Sequence, residues 1–176
     1  MNIVILDGYT INPGDLSWDK VKGAEDTLTV YDNTAPNQII SRIGSCDAVM
    51  TSKCVITREI MAECPNLRYI GLMATGYNNV DVKAAADAGI TVTNVPAYST
   101  DSVAQHTIAL MLELSNNVGL HNASVQAGKW NRSEHFCYWE KPVTLLSGRS
   151  LGIVGYGAIG SRVAEIAKAL GMTVNI

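Results

Sequence analysis

Short runs of β-branched and aromatic residues alternate with stretches of helical periodicity almost from the first residue. This alternation is typical of a parallel sheet covered by helices, because parallel strands need long crossover connections. The short runs predict strands at residues 3–6, 28–31, 48–51, 69–73, 91–94, 150–154 and 172–176. The helical stretches predict helices at residues 36–43, 57–63, 80–88 and 158–170.

The segment between the fifth and sixth predicted strands has a different pattern. A polar turn at residues 94–102 is followed by a long apolar stretch with almost no polar face. Ser102 and Gln105 have capping-box spacing, so we predict a helix that starts there, is buried on most sides and ends at Gly128. Residues 129–147 are irregular and aromatic. Gly89 is placed to end the helix before the fifth strand in the left-handed conformation.

Composition narrows the class of protein. The chain has 176 residues, 47% of them hydrophobic, and a formal net charge of -3. It has no cluster of Lys and Arg, so we expect no nucleic-acid partner. No stretch approaches the roughly 20 apolar residues of a membrane span, and no signal sequence is evident, so we expect no membrane partner.

The four cysteines give no sign of a disulfide framework or a metal site. Cys46, Cys54, Cys64 and Cys137 form no Cys-x-x-Cys pair and lie in regions that we expect to be buried. Reduced structural thiols and a cytoplasmic location are therefore predicted.

One motif carries recognisable chemistry. Gly155-Tyr156-Gly157-Ala158-Ile159-Gly160 has the pattern G-x-G-x-x-G between a predicted strand and an amphipathic helix. Such a turn receives the diphosphate of a dinucleotide, because its glycines permit a tight turn, close backbone approach and close helix packing. An ordinary strand-to-helix turn is the alternative. Ser161 and Arg162 stand where a phosphate loop needs Lys and a kinase loop needs Val.

The cofactor predicted from this motif is NAD, and NADP is not excluded. The acidic residue that would hold the adenosine ribose is expected roughly 20 residues after the glycines, beyond Ile176.

Three segments together resemble the D-2-hydroxyacid dehydrogenase family, and most of all its glycerate dehydrogenase (hydroxypyruvate reductase) branch. They are residues 74–81 (ATGYNNVD), residues 94–105 (NVPAYSTDSVAQ) and residues 151–160, which end in the glycine motif. Their order and spacing match, and the similarity covers the whole chain. The resemblance implies a flavodoxin-like parallel-sheet substrate domain at residues 1–98 and the truncated start of a Rossmann NAD-binding domain at residues 99–176.

The resemblance also implies a substrate site. Backbone N–H groups of Thr75 and Gly76 would hold the substrate carboxylate, and the loop around Ser52 and Lys53 would line the same pocket. A capped turn without a ligand is the alternative; capping is favoured for Asn78 and Asn79, and ligand contact for Gly76. Thr107 matches a position that faces the cofactor, although its hydroxyl could instead bond the backbone of its own helix.

The mechanism implied by the resemblance is hydride transfer between the nicotinamide and C2 of a 2-keto or D-2-hydroxy acid. The Arg, Glu and His that complete it are expected beyond Ile176, so no residue of this chain is predicted to be catalytic. His106, His121 and His135 do not match the catalytic position and lack metal-ligand spacing.

A homodimer is also predicted. A chain of this family that ends at Ile176 leaves a sheet edge and apolar helix faces uncovered, so we expect it to dimerise or to exchange elements with a second copy. Trp139 lies where family members extend a loop across the dimer interface, or it covers its own domain instead. The predicted function is an NAD-dependent dehydrogenase of a small 2-hydroxy acid, with glycerate favoured but the particular acid left open. The alternatives are a dinucleotide-sensing regulator or corepressor on the same fold, and an inactive fragment.

Overall fold

The computed structural model describes residues 1–176, and the chain divides into two compact units, Met1–Pro96 and Ala97–Ile176. We call them the N-terminal unit and the C-terminal unit. The substrate-binding role predicted for residues 1–98 and the NAD-binding role predicted for residues 99–176 stay predictions.

The N-terminal unit is built on a five-stranded parallel sheet. Its strands are β1 (Asn2–Ile5), β2 (Thr27–Val30), β3 (Ala48–Thr51), β4 (Tyr69–Leu72) and β5 (Thr91–Thr93). Their order is β2-β1-β3-β4-β5, and every pairing is parallel. This is the flavodoxin-like order, so the predicted fold class of this unit is confirmed. The strand β2 lies on one side of β1, and β3, β4 and β5 follow one another on the other side, so the strand order reverses between β1 and β3.

Short helices connect these strands. They are α1 (Ile39–Ile43), α2 (Arg58–Ala62) and α3 (Val82–Asp87), with 3-10 turns at Gly8–Thr10, Trp18–Val21 and Pro36–Gln38. Asp81 caps α3, because its carboxylate accepts the N–H of Ala84 at 2.8 Å. Gly89 has a φ of 70°, as predicted for the left-handed residue after that helix.

The core of the N-terminal unit lies against the sheet. Val4, Val49 and Ile70, from three neighbouring strands, are fully buried together with Ile43 of α1 and Ile56. Strands buried in this way read as continuous apolar runs, and such runs made them predictable from the sequence.

The C-terminal unit is a β-α-β unit preceded by helices. Its elements are α4 (Thr100–Asn116), α5 (Val118–Gln126), α6 (Lys129–Arg132), β6 (Ser150–Gly152), α7 (Ala158–Ala169) and β7 (Thr173–Asn175). Strands β6 and β7 pair in parallel. Helix α4 packs on α7 through a small cluster of Ala104, Ile108 and Val163. This is the opening of a Rossmann fold, as predicted.

The predicted long helix is wrong in three respects. It breaks at Asn117, which has a left-handed φ of 52°. It begins at Thr100 with Ser99 as N-cap, so Ser102 lies inside the helix and donates to the Ser99 carbonyl. Its apolar side chains are largely uncovered, and Leu114 is 83% exposed. An apolar helix face therefore lies on the surface of this unit.

Burial of the cysteines is confirmed for Cys54 and Cys64, whereas Cys46 is half-buried and Cys137 is exposed. Burial raises the pKa of the Cys46, Cys54 and Cys64 thiols above the ordinary value, so they stay protonated and unreactive at neutral pH. No helix in the structure combines the length and apolar character that crossing a membrane requires.

Candidate functional site

The glycine motif forms a tight turn from β6 into α7. Gly155 has a φ of 95°, a conformation that a side chain would strain. Gly157 is the N-cap of α7, with no side chain capping the helix and no acidic residue in its first turn. A Cβ added at Gly157 would meet no atom within 4 Å. The N–H groups at this helix end are therefore open to a ligand.

Gly160 is required for the reason expected and for a second, tighter contact. The sequence predicted that it lets the helix pack near the sheet, and a Cβ there would indeed lie 3.3 Å from the Ile153 side chain. The tighter contact is with the turn itself, because the same Cβ would lie 2.1 Å from the carbonyl oxygen of Gly155. The backbone of Gly155 thus packs directly against Gly160, and a side chain at position 160 would force the turn open.

The remaining motif residues lie around this turn. Ala158 is the first residue of α7, and Tyr156 and Ile159 are exposed beside it. Thr107 of α4 borders a cavity of about 410 Å³ together with Gly155 and Gly160. Its hydroxyl also donates to the Val103 carbonyl at 2.8 Å. Both interpretations of Thr107 therefore have a structural basis.

The side chain of Arg162 links α7 to α4 at the surface of the unit. Its guanidinium bonds Asp101 at 2.9 Å and Glu165 at 2.6 Å. These ion pairs are exposed to solvent, so we expect them to contribute little to the free energy of unfolding.

The predicted substrate loop follows β4. The Thr75 carbonyl accepts the side-chain amide of Asn94 at 2.7 Å, and the Thr75 hydroxyl donates to the Val95 carbonyl at 3.3 Å. By contrast, the backbone N–H groups of Thr75 and Gly76 have no partner in the protein, and both residues are exposed. Two free donors on an exposed loop are what a carboxylate needs.

The Lys53 loop runs beside the Thr75–Gly76 loop. Residues 56 and 80 form a parallel bridge, and the Ile56 N–H donates to the Asn79 carbonyl at 2.8 Å. Lys53 itself is exposed and borders a cavity of about 440 Å³ at the carboxyl ends of β1 and β3. Thr75 and Gly76 are not among the residues lining that cavity.

The sequence reasoning missed Asp7 and misread Asn79. Asp7 is 5% exposed, and its carboxylate accepts hydrogen bonds from Thr51, Ser52 and Lys53. Asn79 caps no helix; its side-chain amide donates to the Cys54 carbonyl at 2.9 Å. An acidic residue directly after a buried strand was the available signal for Asp7.

The histidines have packing or surface positions. His106 and His135 are exposed. Nδ1 of His121 lies 2.8 Å from the Asn117 carbonyl, and its Nε2 accepts the N–H of Glu140 at 3.1 Å. Hydrogen bonds from Ser124 and then Lys129 lower the pKa of the Glu140 carboxyl below its usual value. His121 and Glu140 thereby fasten the aromatic segment to α5 and α6.

The aromatic segment itself is only partly packed. Trp130 and Tyr138 meet edge to face with ring centroids 5.8 Å apart. Phe136 and Trp139 are largely exposed. No group of three His, Cys, Asp or Glu side chains comes close enough together to hold a metal ion.

Comparison with known proteins agrees with this geometry. Residues 5–174 match the family described as D-isomer specific 2-hydroxyacid dehydrogenase, catalytic domain. The chain therefore belongs to the D-isomer-specific 2-hydroxyacid dehydrogenases, a family of oxidoreductases, as the sequence motifs predicted.

Two curated relatives illustrate the similarity. A hydroxypyruvate reductase of Blautia hydrogenotrophica is 48% identical over 99% of this chain and 55% of its own length. A glycerate dehydrogenase of Methylorubrum extorquens is 37% identical over 82% of this chain and 46% of its own length. The chain thus spans about half the length of these relatives.

Solved structures show the same fold. An acyclic imino acid reductase in complex with NADPH and D-Arg matches 98% of this chain and 54% of its own chain, with a TM-score of 0.76 and 28% identity. The apo D-lactate dehydrogenase of Escherichia coli matches 98% of this chain and 53% of its own, with a TM-score of 0.66 and 26% identity.

Proposed function

We propose that this chain supplies the 2-hydroxyacid-binding and dinucleotide-binding parts of an NAD-dependent dehydrogenase that interconverts a D-2-hydroxy acid and its 2-keto acid. The observation that carries the proposal is the open N-terminus of α7, where Gly157 leaves space above an uncapped helix end. This space accommodates the diphosphate of a dinucleotide, because free N–H groups and the positive end of the helix dipole point at it.

Each unit has a separate task in this proposal. When bound, NAD supplies the hydride acceptor and donor. The turn from Gly155 to Gly160 grips the diphosphate, and Thr107 borders the same space. In the N-terminal unit, the N–H groups of Thr75 and Gly76 bind the substrate carboxylate, and Lys53 adds a positive charge. In each unit these residues bind and orient their own ligand.

Glycerate and hydroxypyruvate are the substrates that we propose. Relatives of this chain include a hydroxypyruvate reductase and a glycerate dehydrogenase. Residues 74–81, which contain Thr75 and Gly76, include no Lys or Arg, and Lys53 is the one basic residue in the neighbouring segment 51–57. A phosphorylated substrate usually meets several basic side chains, with Arg prominent among them, so a small unphosphorylated acid fits better.

Titration of the isotope-labelled 176-residue chain tests the proposal. We expect hydroxypyruvate to shift the amide signals of Thr75 and Gly76, and NADH to shift those of residues 155–160. We expect no turnover at the rate of a complete enzyme, because no residue here matches the family's Arg, Glu and His. Dinucleotide binding without any hydroxypyruvate binding would favour a dinucleotide-sensing regulator instead.

We further propose that the chain forms a homodimer through the C-terminal unit. The support is the number of apolar side chains that this unit exposes, namely Leu110, Leu114, Val118, Phe136 and Trp139. Exposed apolar side chains, aromatic ones among them, are typical of protein interfaces.

A lysine at position 114 should weaken the dimer. We expect Leu114→Lys to raise the dimer dissociation constant about thirtyfold, since an unpaired charge in an interface costs about 2 kcal/mol. Sedimentation velocity over a concentration series measures this. Leu16→Lys is the matched control, because Leu16 is 67% exposed on the N-terminal unit. Equal dissociation constants for the two variants would contradict this interface.

A further inference from the structure

We propose that Asp7 and Asn79 are positioning residues of the substrate site, a role that rests on the proposed function of the Thr75–Gly76 loop. The Asp7 carboxylate binds the N–H groups of the Lys53 loop, and the Asn79 side chain binds carbonyl groups of the same loop. Together they fix Lys53 relative to the free N–H groups of Thr75 and Gly76. Neither residue touches the substrate in this proposal.

The carboxylate of Asp7 is the inner anchor. It accepts the hydroxyl of Thr51 at 3.0 Å, the N–H of Ser52 at 2.9 and 3.0 Å, and the N–H of Lys53 at 2.6 Å. It forms no salt bridge, so these donors alone compensate a buried charge. Hydrogen bonds to an ionised acceptor are short and strong. They therefore determine the path of the backbone through residues 51–53.

The side chain of Asn79 is the outer anchor. Its amide nitrogen donates to the Cys54 carbonyl at 2.9 Å and makes a longer contact of 3.5 Å with the Ser52 carbonyl. The Asn79 backbone accepts the Ile56 N–H, and the Asp81 N–H donates to the Ile56 carbonyl at 3.0 Å. Since Asn79 belongs to the segment that follows Gly76, it links the two loops directly.

Lys53 depends on these anchors for its placement. It lies at the carboxyl ends of β1 and β3, where the sheet switches direction and where ligands of such folds commonly bind. Its side chain makes no salt bridge within the protein. The bond from its backbone N–H to Asp7 fixes the point from which the flexible side chain extends.

The sign of the effect separates positioning from simple electrostatics. Asp7→Asn removes a negative charge, which by Coulomb's law alone would strengthen the binding of an anion. It also replaces one acceptor oxygen by an NH₂ group. If the amide oxygen takes the Oδ2 position, to which Thr51, Ser52 and Lys53 all donate, the NH₂ group lies where Oδ1 accepts the Ser52 N–H at 2.9 Å. Two donors then face each other, so the loop must shift. Positioning therefore predicts weaker binding, and electrostatics predicts tighter binding.

The experiment measures the dissociation constants of hydroxypyruvate and NADH for variants of the 176-residue chain. We expect Asp7→Asn and Asn79→Ala each to weaken hydroxypyruvate binding about tenfold, because small misplacements of binding groups cost this much or more. NADH binding should stay unchanged. Because both residues hold one loop, the double variant should be little weaker than either single one.

Asp47→Asn is the matched control. The Asp47 carboxylate accepts one backbone N–H, from Asn2 at 2.7 Å, at the opposite end of the same two strands. It should bind hydroxypyruvate as the unchanged chain does. If Asp7→Asn fails to fold, Asn79→Ala still carries the test. Hydroxypyruvate binding at or above the original affinity in Asp7→Asn or Asn79→Ala overturns the positioning role alone. No binding by the unchanged chain overturns the proposed function as well.

Discussion

Gly160→Ala is expected to destabilise the C-terminal unit by about 3 kcal/mol and to abolish NADH binding, because overpacking against backbone has few ways to relax. The new methyl group would lie 2.1 Å from the carbonyl oxygen of Gly155, a distance that non-bonded atoms do not reach. The turn must therefore open, and its N–H groups lose their common direction. Thermal unfolding and NADH titration measure the two effects.

Gly157→Ala is the matched control for this prediction. Its methyl group meets no atom within 4 Å, and its φ of -84° is ordinary for alanine. Stability should be unchanged, while NADH affinity should fall because the methyl group occupies the space that the diphosphate needs. Equal stability of the two variants would contradict the turn geometry described above.

Ile70→Ala should lower the free energy of unfolding of the N-terminal unit by about 2–5 kcal/mol, the usual range for truncating a buried isoleucine. Ile70 is fully buried in β4, where the lost methyl and methylene groups leave a cavity in the core that packs against the sheet. Urea unfolding monitored by circular dichroism gives the change in midpoint.

The control is the same substitution at an exposed isoleucine. Ile40 is 41% exposed on α1, so Ile40→Ala should change the free energy of unfolding far less. A midpoint for Ile70→Ala that matches that of Ile40→Ala would show that β4 does not lie in the core.

The strands were predictable to within a residue or two because short runs rich in β-branched residues mark most of them, and β1, β3 and β4 are in addition buried on both faces. β3 was predicted at 48–51, as observed, and β1 was shifted by one residue. Local chemistry also sufficed for Gly89, whose left-handed conformation depends only on its neighbours. These features depend on short stretches of sequence and could therefore be predicted from them.

The long helix was mispredicted because its apolar pattern was taken to require burial. Leu110 and Leu114 are exposed in the structure, so an apolar stripe indicates a surface that needs a partner, and sequence alone does not say which partner. The helix breaks at Asn117, which adopts the left-handed conformation. Asparagine tolerates this conformation but does not require it, so its presence in the sequence did not predict the break.

Only those parts of the candidate site that lie in one continuous stretch of sequence were predictable. The glycine turn and the loop at Thr75 and Gly76 are local patterns, and their likeness to a family identified them. Asp7 binds a loop 44–46 residues away, and Asn79 binds one 25 residues away. Such pairs depend on which strands become neighbours, and a single sequence does not reveal this before the sheet order is known.

Calorimetric titration of NADH into the 176-residue chain, with Gly157→Ala beside it, tests the central claim most directly. We expect saturable binding to the unchanged chain and a loss of affinity of at least about a hundredfold in the folded variant, since the diphosphate contacts require close backbone approach. Saturable binding that is equally tight in the variant, or none to the unchanged chain, would contradict the claim that the turn into α7 binds a dinucleotide.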